Sequence, residues 1–555
     1  MTEARPAQAS GPQAEEVTTA ERCRRIWGDL LHVPEIGDED DFFVLGGHSM
    51  LATRAMTRLR KELGGFELPA GIIFEHPVFH EFVTGVETAL GRTAGDASHD
   101  TGRDSGPVSL QQEELLRLEA ALGPSPANNV VVLLEVHARR DTEVLRRALH
   151  GLLDRHPALR TAFWPVGEGF EQAVVPPPPE PGVELVAHDV PGAQEAATRR
   201  IRALLREAHL RPFDLTAGSL LRAQLFRRPD GPDLLACHLH HTAFDGASGR
   251  VLAGELAGAL DGREDPAPPY GDPVTGTSGA GPTYVDYAVR QREALDGLLA
   301  RGRGHWLRTV GDLAADMLEL PPAGDRPSRH VRAAARVEGD VLRRVREWAR
   351  SGGATDFVVL AGAVAAALGR LTHRSCLGIG TLLDNRDHFG LERTVGAFAN
   401  STLLAVPVPD RTTPGEVAAE VRQRLTEARR WADVPLGVLV EEPCGRFGVH
   451  PSELVDAVFW FDGPPAGEED RAAVRIADLR EVDARLVDLP FGPRLGIGLS
   501  VGRADDVHVS VEYAAPEAGP TAQEVVDRIV TMLRFFADAP DGTIPASEGH
   551  PAAVL

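Results

Sequence analysis

The segment GRTAGDASHDTGRDSG, residues 91–106, separates two parts of the chain whose sequence patterns differ. Its Gly, Ser, Thr and Asp residues give it the composition of a flexible linker between folded units. The shorter part before the linker predicts a compact helical unit over residues 19–90. It is preceded by a polar, Pro- and Ala-rich stretch, 1–18, that we expect to be disordered. We therefore expect separate domains and not a single core.

Helical periodicity defines the unit over residues 19–90. Ile26, Leu30 and Leu31 recur at the spacing that places apolar side chains on one side of a helix. A second helix is predicted from about Ser49 to Leu63, and a further apolar region ends near residue 90. The pattern predicts a small all-α bundle of the four-helix type.

Strand and helix patterns alternate in the longer part, as they do in α/β folds. NNVVVLLEV and DLLACHLHH predict strands, and TEVLRRALHGLLDRH between them predicts an amphipathic helix. A loop-rich stretch, 264–283, interrupts the pattern, which then resumes and ends with a predicted helix at AQEVVDRIVTMLRFFAD. We predict two α/β lobes, over residues 107–275 and 276–540, followed by a tail at 541–555.

The composition excludes several classes of function. A formal net charge of −23 over 555 residues repels nucleic acid and acidic membrane surfaces, so we expect neither as a partner. No stretch approaches the roughly 20 apolar residues of a membrane span, and the N-terminus lacks the apolar core of a secretory signal. The four cysteines lie far apart without a CxxC spacing, which argues against a disulfide scaffold and predicts a cytoplasmic protein.

The stretch FFVLGGHSM contains the first candidate site. Ser49 begins a predicted helix, where a serine commonly serves only as an N-cap that accepts hydrogen bonds from the first free amides. Gly46 and Gly47 leave the backbone free to turn and the hydroxyl uncrowded. Unpaired amides and the helix dipole also make a helix N-terminus favourable for a phosphate. These residues are compatible both with a structural cap and with a serine that carries a phosphate.

The stretch HLHHTAFDG contains the second candidate site. His238 and His240 would share one face of a strand, while His241 would end the opposite, apolar row. Because a zinc site needs about four converging ligands, and neither an HExxH motif nor a Cys cluster is present, we predict no metal. Desolvation at the end of an apolar row would keep His241 neutral and leave it an acceptor nitrogen. The alternative is a core histidine held by a backbone partner.

Two residues after the histidines favour the functional interpretation. Asp245 can pair with an arginine and brace the loop. Gly246 permits a tight turn beside a substrate. Together they make His241 the candidate acid/base or positioning residue.

DDFFVLGGHSMLATRAMTRLRKELG resembles the signature of peptidyl carrier proteins, and the similarity covers about residues 19–90. The acidic turn, paired aromatics, Gly-Gly-His-Ser and following helix occur in the family order. The resemblance implies a 4'-phosphopantetheine arm attached covalently to Ser49, whose terminal thiol holds an acyl group as a thioester. It also implies a phosphopantetheinyl transferase as a partner, and it makes none of the four cysteines necessary for the chemistry.

HHTAFDG resembles the HHxxxDG motif of condensation domains in nonribosomal peptide synthetases. The similarity covers roughly residues 107–540, where further segments follow in the family order, among them RHPALRTAF, PFDLTAGSLLRAQLF, YVDYAVRQ, GIGTLLDNRD and TVGAFANSTLLAV. The resemblance implies two chloramphenicol-acetyltransferase-like lobes in a V, with a tunnel that donor and acceptor arms enter from opposite ends. The second histidine of the motif, His241, would lie in the middle of that tunnel.

The resemblance further implies that an amine attacks a carrier-bound thioester and forms an amide. His241 would act as a general base, or it would position the amine and stabilise charge by hydrogen bonding. His240, Asp245 and Gly246 would support the motif. Arg386 in DNRD would be the arginine that pairs with Asp245.

The chain departs from the family pattern at three places. Ala247 stands where a bulky residue is common, WADVPLGVL replaces HQDxPF, and the opening motif has Glu-Glu-Leu-Leu where an arginine and an aromatic are common. Arg155 and Arg160 in RHPALRTAF are predicted to be scaffold residues, because arginines at helix ends commonly brace folds.

Alternatives stay open within and outside this reaction class. An ester would form with a hydroxyl acceptor, and a catalytically silent condensation-like domain would only recruit partner proteins. An epimerisation domain needs a second acid/base glutamate that we do not find in the sequence. A heterocyclisation domain would replace the histidine pair by aspartates, so the intact pair argues against it.

The order of the two domains predicts the partners. A carrier that precedes a condensation domain supplies the donor, which we expect to be loaded in trans by a separate adenylation or upstream synthetase protein. The acceptor would be a free amine or a group on a separate carrier protein. The Met1 start and the terminal tail favour a stand-alone protein, and the alternative is an expressed fragment of a longer one. The family resemblance implies a role in natural-product biosynthesis, such as that of an antibiotic or a siderophore.

Overall fold

The structure is a computed structural model of the chain, which separates into two compact units, Met1–Ala97 and Ser98–Leu555. It describes residues 18–31, 33–45, 49–63, 72–93, 103–137, 139–180, 182–229, 231–262, 283–317, 328–352, 354–386, 391–462, 474–476, 495–501, 507–516 and 521–546. The stretch predicted to be disordered, 1–18, lies outside the described residues except for its last residue. The predicted tail lies outside them beyond residue 546.

The first unit is built from helices. In its described part these are α1 (Thr19–Leu31), α2 (Ser49–Leu63), α3 (Ile72–Glu75) and α4 (Phe79–Thr93). Trp27 of α1 packs at the centre of the core, with its ring 4.9 Å from Phe42, 5.2 Å from Phe79 and 5.1 Å from Phe82. All four rings are buried. The predicted small helical bundle is confirmed, and α2 has the bounds that the sequence predicts.

The predicted apolar side of α1 is confirmed and extended. Ile26 is buried, and Leu30 and Leu31 are half-buried. The structure adds Cys23 and Trp27 to the buried side, because residues three and four apart lie on the same side of a helix.

The second unit alternates helices and strands. Its described helices are α5 (Leu110–Leu122), α6 (Thr142–Arg155), α7 (Gln194–His209), α8 (Gly246–Leu260), α9 (Tyr284–Met317), α10 (Gly339–Ser351), α11 (Asp356–Thr372), α12 (Pro414–Arg429), α13 (Leu436–Phe447) and α14 (Ala522–Asp538). Its described strands are β1 (Ser105–Pro107), β2 (Asn129–Val136), β3 (Thr161–Val166), β4 (Gly169–Val174), β5 (Glu184–Asp189), β6 (Leu221–Arg227), β7 (Asp233–His240), β8 (Ser328–Val337), β9 (Cys376–Leu383), β10 (Asn400–Pro407), β11 (Ala457–Asp462), β12 (Val474–Ile476), β13 (Leu495–Val501) and β14 (Val507–Pro516).

Two large sheets and one small sheet organise these elements. The first large sheet has the strand order β12-β2-β7-β6-β5, and the second has the order β10-β9-β11-β13-β14-β8. The small sheet has the order β1-β4-β3. Each large sheet has its own hydrophobic core, with α6 and α8 against the first sheet and α11 and α14 against the second. The predicted two-lobe α/β fold is confirmed.

One strand of the first sheet comes from late in the chain. β12 pairs antiparallel with β2, with Val474 opposite Val136. The segment that the sequence assigns to the second lobe therefore completes the sheet of the first. The predicted boundary between the two lobes, at residues 275 and 276, lies outside the described residues and stays a prediction.

The predicted linker, 91–106, is shorter in the structure at both ends. α4 continues to Thr93, and β1 begins at Ser105 and pairs with β4. The sequence of β1 does not favour a strand, and this segment becomes one because it pairs with β4, which is distant in sequence. Composition alone therefore does not predict β1.

No single helix in the described part of the chain is long and apolar enough to cross a membrane. The bent pair formed by α10 and α11 meets the length and composition criteria only when its two helices are taken together.

Candidate functional site

The HHTAFDG segment turns sharply at the end of the central strand β7. The strand ends at His240, and His241 begins a 3-10 turn that runs to Ala243. The His241 backbone N–H donates to the carbonyl of Asn128 at 2.8 Å, and the Phe244 N–H donates to the His241 carbonyl at 3.3 Å. His241 therefore does not end a row of strand side chains, which corrects the strand alternation that the sequence predicts.

The burial of β7 also differs from the sequence prediction. Leu235 and Leu239 pack into one hydrophobic core, as predicted, but Leu234 and Ala236 on the other face pack into a second core with α7. All residues of β7 are buried. Alternation separates the two faces correctly but cannot show that a helix layer covers each of them.

His240 and His241 consequently lie in different environments. His240 has 1% of its surface exposed, whereas His241 is half-buried and is the more accessible of the two. The Nδ1 atom of His240 lies 2.9 Å from the Thr242 hydroxyl and accepts the Thr242 backbone N–H at 3.3 Å. His240 is thus held inside the turn, and His241 is the more exposed of the two histidines.

The His241 imidazole favours its neutral form. Desolvation lowers the pKa of His241 below its ordinary value, and hydrogen bonding to the backbone and the charge of Asp245 oppose this only in part. Among the described residues, no other side chain is hydrogen-bonded to the His241 ring. A neutral imidazole has one acceptor nitrogen, which is what a general base or an amine-positioning residue needs.

Asp245 is a brace at the start of α8. It accepts hydrogen bonds from the backbone N–H and the hydroxyl of Ser248 at 2.9 and 2.8 Å. It also accepts from the backbone N–H groups of Phe398 and Ala399 at 3.1 and 3.0 Å. Burial alone would raise the pKa of Asp245, but Arg386 and the Ser248 hydrogen bonds outweigh it and hold the pKa below the ordinary value.

Arg386 forms the predicted pair with Asp245. Its Nη1 lies 2.7 Å from Oδ2 and its Nη2 lies 2.8 Å from Oδ1, so the contact is bidentate. Arg386 also donates to Asp384, to the Ser248 hydroxyl and to the carbonyl of Thr394. The pair and its network leave the Asp245 carboxylate without spare capacity for proton transfer.

The glycine that matters for packing is not Gly246. Gly246 is the exposed first residue of α8, and a Cβ added there would meet no atom within 4 Å. The site at Gly246 therefore has room for a larger residue, and the role of Gly246 in a tight turn beside a substrate stays a prediction. At Gly396, a Cβ would lie 2.1 Å from the ring of Tyr284, whose hydroxyl donates to the Ala397 carbonyl at 2.8 Å. Only glycine lets this segment approach Tyr284 so closely.

Sequence reasoning missed a residue of the opening motif. Gln112 on α5 donates its side-chain amide to the Thr242 carbonyl at 3.0 Å and to Gln172 at 3.2 Å. Its carbonyl oxygen accepts the backbone N–H of Ser109. Gln112 lies in VSLQQEELLRLE, residues 108–119, which resembles the opening motif of the family only in a weakened form. Sequence alone does not show that this residue contacts the histidine turn.

The two arginines of RHPALRTAF support the fold, as predicted. Arg155 donates to the buried Glu255 at 2.7 Å. Arg160 donates to the carbonyls of Leu153 and Val175. Burial would raise the pKa of Glu255, but hydrogen bonds and charges from His156 and Arg155 lower it to about 2.

Ser49 is the first residue of α2, which places it at a helix N-terminus where unpaired amides suit a phosphate. Residues 46–48 lie outside the described part of the chain. Burial raises the pKa of Cys23, Cys237 and Cys376 to about 12 and raises the pKa of Cys444 above its ordinary value, which disfavours a nucleophilic thiolate at each of them. The position of Ser49 and these inert thiols fit an external thiol carried by a phosphopantetheine arm.

No group of His, Cys, Asp or Glu suited to a metal ion occurs among the residues that the structure describes. The fold and the two sites define a carrier unit followed by a two-lobed transferase. The family model described as Condensation domain matches residues 103–488, and the one described as Phosphopantetheine attachment site matches residues 21–86. The chain belongs to the condensation-domain family and carries an N-terminal domain for covalent 4'-phosphopantetheine.

Curated relatives of the chain are peptide synthetases. It is 30% identical over 430 residues to malpibaldin synthetase of Mortierella alpina, a match that covers 75% of this chain and 7% of that protein. It is 29% identical over 538 residues to the dimodular nonribosomal peptide synthase of Bacillus subtilis (strain 168), covering 94% of this chain and 22% of that protein. The chain therefore spans less than a quarter of the length of either relative.

Solved structures show the same fold. The condensation domain from the Monacolin K polyketide synthase MokA superposes with a TM-score of 0.62 at 23% identity, covering 80% of this chain and 100% of that chain. The X-domain from teicoplanin biosynthesis superposes with a TM-score of 0.61 at 23% identity, covering 82% and 99%. At 23% identity the similarity establishes the fold, and the function has to be inferred from the residues of the site.

Proposed function

We propose that the condensation domain transfers an acyl or peptidyl group from a carrier-bound thioester to an amine, and that the carrier domain presents the thioester on Ser49. The observation that carries this proposal is a half-buried His241, whose pKa is lowered towards the neutral form, on a turn next to an Asp245 whose carboxylate is fully engaged by Arg386 and its neighbours. The first provides an acceptor nitrogen at an accessible place, and the second holds the turn in position.

The reaction balances without a redox partner. The amine nitrogen attacks the thioester carbonyl carbon, a C–N bond forms, and the C–S bond breaks. The nitrogen loses one proton and the departing sulfur takes one up. The phosphopantetheine arm, when attached, supplies reach and the thiol that carries the acyl group.

His241 serves this reaction through its acceptor nitrogen. It removes the amine proton as a general base, or it accepts an N–H hydrogen bond and aims the amine at the carbonyl carbon. Both roles require the neutral ring, and desolvation at the turn favours that form. Asp245 and Arg386 act on the position of the turn and not on the proton.

We infer three kinds of partner. A phosphopantetheinyl transferase would modify Ser49. A separate adenylation or upstream synthetase protein would load the donor, and a free amine or a second carrier protein would bring the acceptor. The helical carrier unit with Ser49 at a helix start supports the first inference, and the order of the two domains supports the others.

Intact-mass spectrometry tests the proposal. The holo protein is loaded with candidate acyl or aminoacyl groups, mixed with amine or hydroxyl acceptors, and followed for loss of the thioester and for product. We expect Ser49→Ala to gain no phosphopantetheine and His241→Ala to transfer at least about 100-fold more slowly than wild type. Equal modification of Ser49→Ala would overturn the carrier assignment. Transfer by His241→Ala at the wild-type rate would overturn the catalytic assignment, and an ester product alone would overturn the amine acceptor.

A further inference from the structure

We propose that Glu119 is a positioning residue for His241, and that its side-chain oxygen acts through the ring of His240 and through Asn128. This inference rests on the proposed function, because it assigns a role to a residue that supports the His241 turn. Glu119 lies on α5, which contains the opening motif.

The hydrogen bonds of His240 determine which of its ring nitrogens carries the proton. Nδ1 lies 3.3 Å from the backbone nitrogen of Thr242, so we assign the ring proton to Nε2, which is the tautomer in which Nδ1 accepts this N–H. Nε2 lies 3.5 Å from Glu119 Oε1. A carboxylate oxygen at this place favours the tautomer that the turn requires over the one with the proton on Nδ1.

The same oxygen also holds the side chain of Asn128, whose backbone is hydrogen-bonded to the backbone of His241. The side-chain amide of Asn128 donates to Glu119 Oε1 at 3.0 Å. The backbone carbonyl of Asn128 accepts the backbone N–H of His241 at 2.8 Å. Two paths therefore connect Glu119 with the turn: the first passes through a ring, and the second through an asparagine that bonds His241 directly.

The surroundings make this oxygen difficult to replace by water. His240 is 1% exposed and Asn128 is 5% exposed, and the Glu119 side chain is 12% exposed. Phe213 packs edge-on against the His240 ring at 6.0 Å. Because unmade hydrogen bonds cost more in enclosed places than at the surface, loss of the acceptor would move the groups that depend on it.

The test compares three substitutions on α5 in the full chain. Glu119→Leu removes the acceptor, and Glu119→Gln keeps an oxygen of the same reach. Arg117→Gln is the matched control, because Arg117 lies on the same helix with its side chain 58% exposed. The measurements are kcat and KM for the acceptor in the transfer assay, and hydrogen exchange of the His241 amide in the apo protein.

We expect Glu119→Leu to lower kcat by about 10- to 100-fold with KM for the acceptor unchanged, and to speed exchange at His241. Glu119→Gln and Arg117→Gln should resemble wild type in both measurements. Wild-type kcat and exchange in Glu119→Leu would overturn the proposal. So would a Glu119→Gln variant as slow as Glu119→Leu, because the acceptor oxygen would then not be the cause.

If Glu119→Leu fails to fold, Glu119→Asp replaces it, since the shorter side chain withdraws the carboxylate from both partners. Its kcat should fall and its His241 amide should exchange faster, and unchanged values would overturn the proposal. The exchange measurement needs no activity. A failure of the proposed function, with His241→Ala as fast as wild type, is therefore distinguishable from a failure of the role of Glu119.

Discussion

Arg386 binds Asp245 through two nitrogens, with Nη1 2.7 Å from Oδ2 and Nη2 2.8 Å from Oδ1. Both residues are almost completely buried, and they lie 141 residues apart in sequence. The pair joins the N-cap of α8 to the loop that follows β9. The His241 turn is therefore held by a contact between distant parts of the second unit.

Removal of one partner of this pair should destabilise the second unit strongly. Arg386→Ala leaves the Asp245 carboxylate buried without its cation, which costs about 3–5 kcal/mol in comparable cases. Urea unfolding followed by circular dichroism measures the loss. Arg250→Ala is the control, because Arg250 contacts Asp384 only at 3.9 Å and both side chains are exposed, so little change is expected. Equal losses in the two variants would contradict the prediction.

The transfer rate should tolerate mild acid. His241 acts in its neutral form, and desolvation holds the pKa of His241 below the ordinary histidine value of about 6.5. As pH falls, the rate should stay on its plateau through about 6.5 and decline only below that value. Single-turnover rates with a weakly basic amine measure this, because such an acceptor stays unprotonated over the range. A decline centred above that value would contradict the prediction.

Acid should destabilise the fold through His238. Burial first, and then the charge of Arg222, lower the pKa of His238 to about 3 in the folded state, whereas the unfolded value is about 6.5. Between these values the unfolded chain binds the extra proton, so stability is present above about pH 6.5 and is lost as pH falls towards 3. Urea midpoints should drop less between neutral and acid pH in His238→Gln than in wild type. Equal drops in wild type and His238→Gln would contradict the prediction.

Gly396→Ala should destabilise the second unit, whereas a matched substitution in α8 should not. A Cβ at Gly396 would lie 2.1 Å from the Tyr284 ring, and overpacking of this kind costs about 1–3 kcal/mol. Gly254 lies inside α8 with no atom within 4 Å of an added Cβ, so Gly254→Ala should stabilise by about 0.5–1 kcal/mol. Thermal unfolding of the two variants checks both signs, and a stable Gly396→Ala would show that Tyr284 can move.

Periodicity and motif order made the architecture accessible from the sequence. Apolar spacing in α1 and the start of α2 at Ser49 depend on contacts within a few residues, so a local pattern carries them. Local patterns also predicted β2, β7 and α14, although the ladder between β2 and β7 pairs distant residues such as Asn129 and His240. The pairing of Arg386 with Asp245 was also predicted, but from family resemblance and not from any local signal, and the structure shows the contact.

The sequence by itself indicated the two units and those helices and strands that have a local pattern, and it supplied the candidate site residues, whose roles stay predictions. Only the tertiary structure decided that β7 stops at His240, that helices cover both of its faces, and that His241 stays the more accessible histidine. The bonds to His241 and Thr242 come from Asn128 and Gln112, which are more than a hundred residues distant. Alternation along a strand reports two faces, but burial and hydrogen bonding depend on what the rest of the chain places against each face.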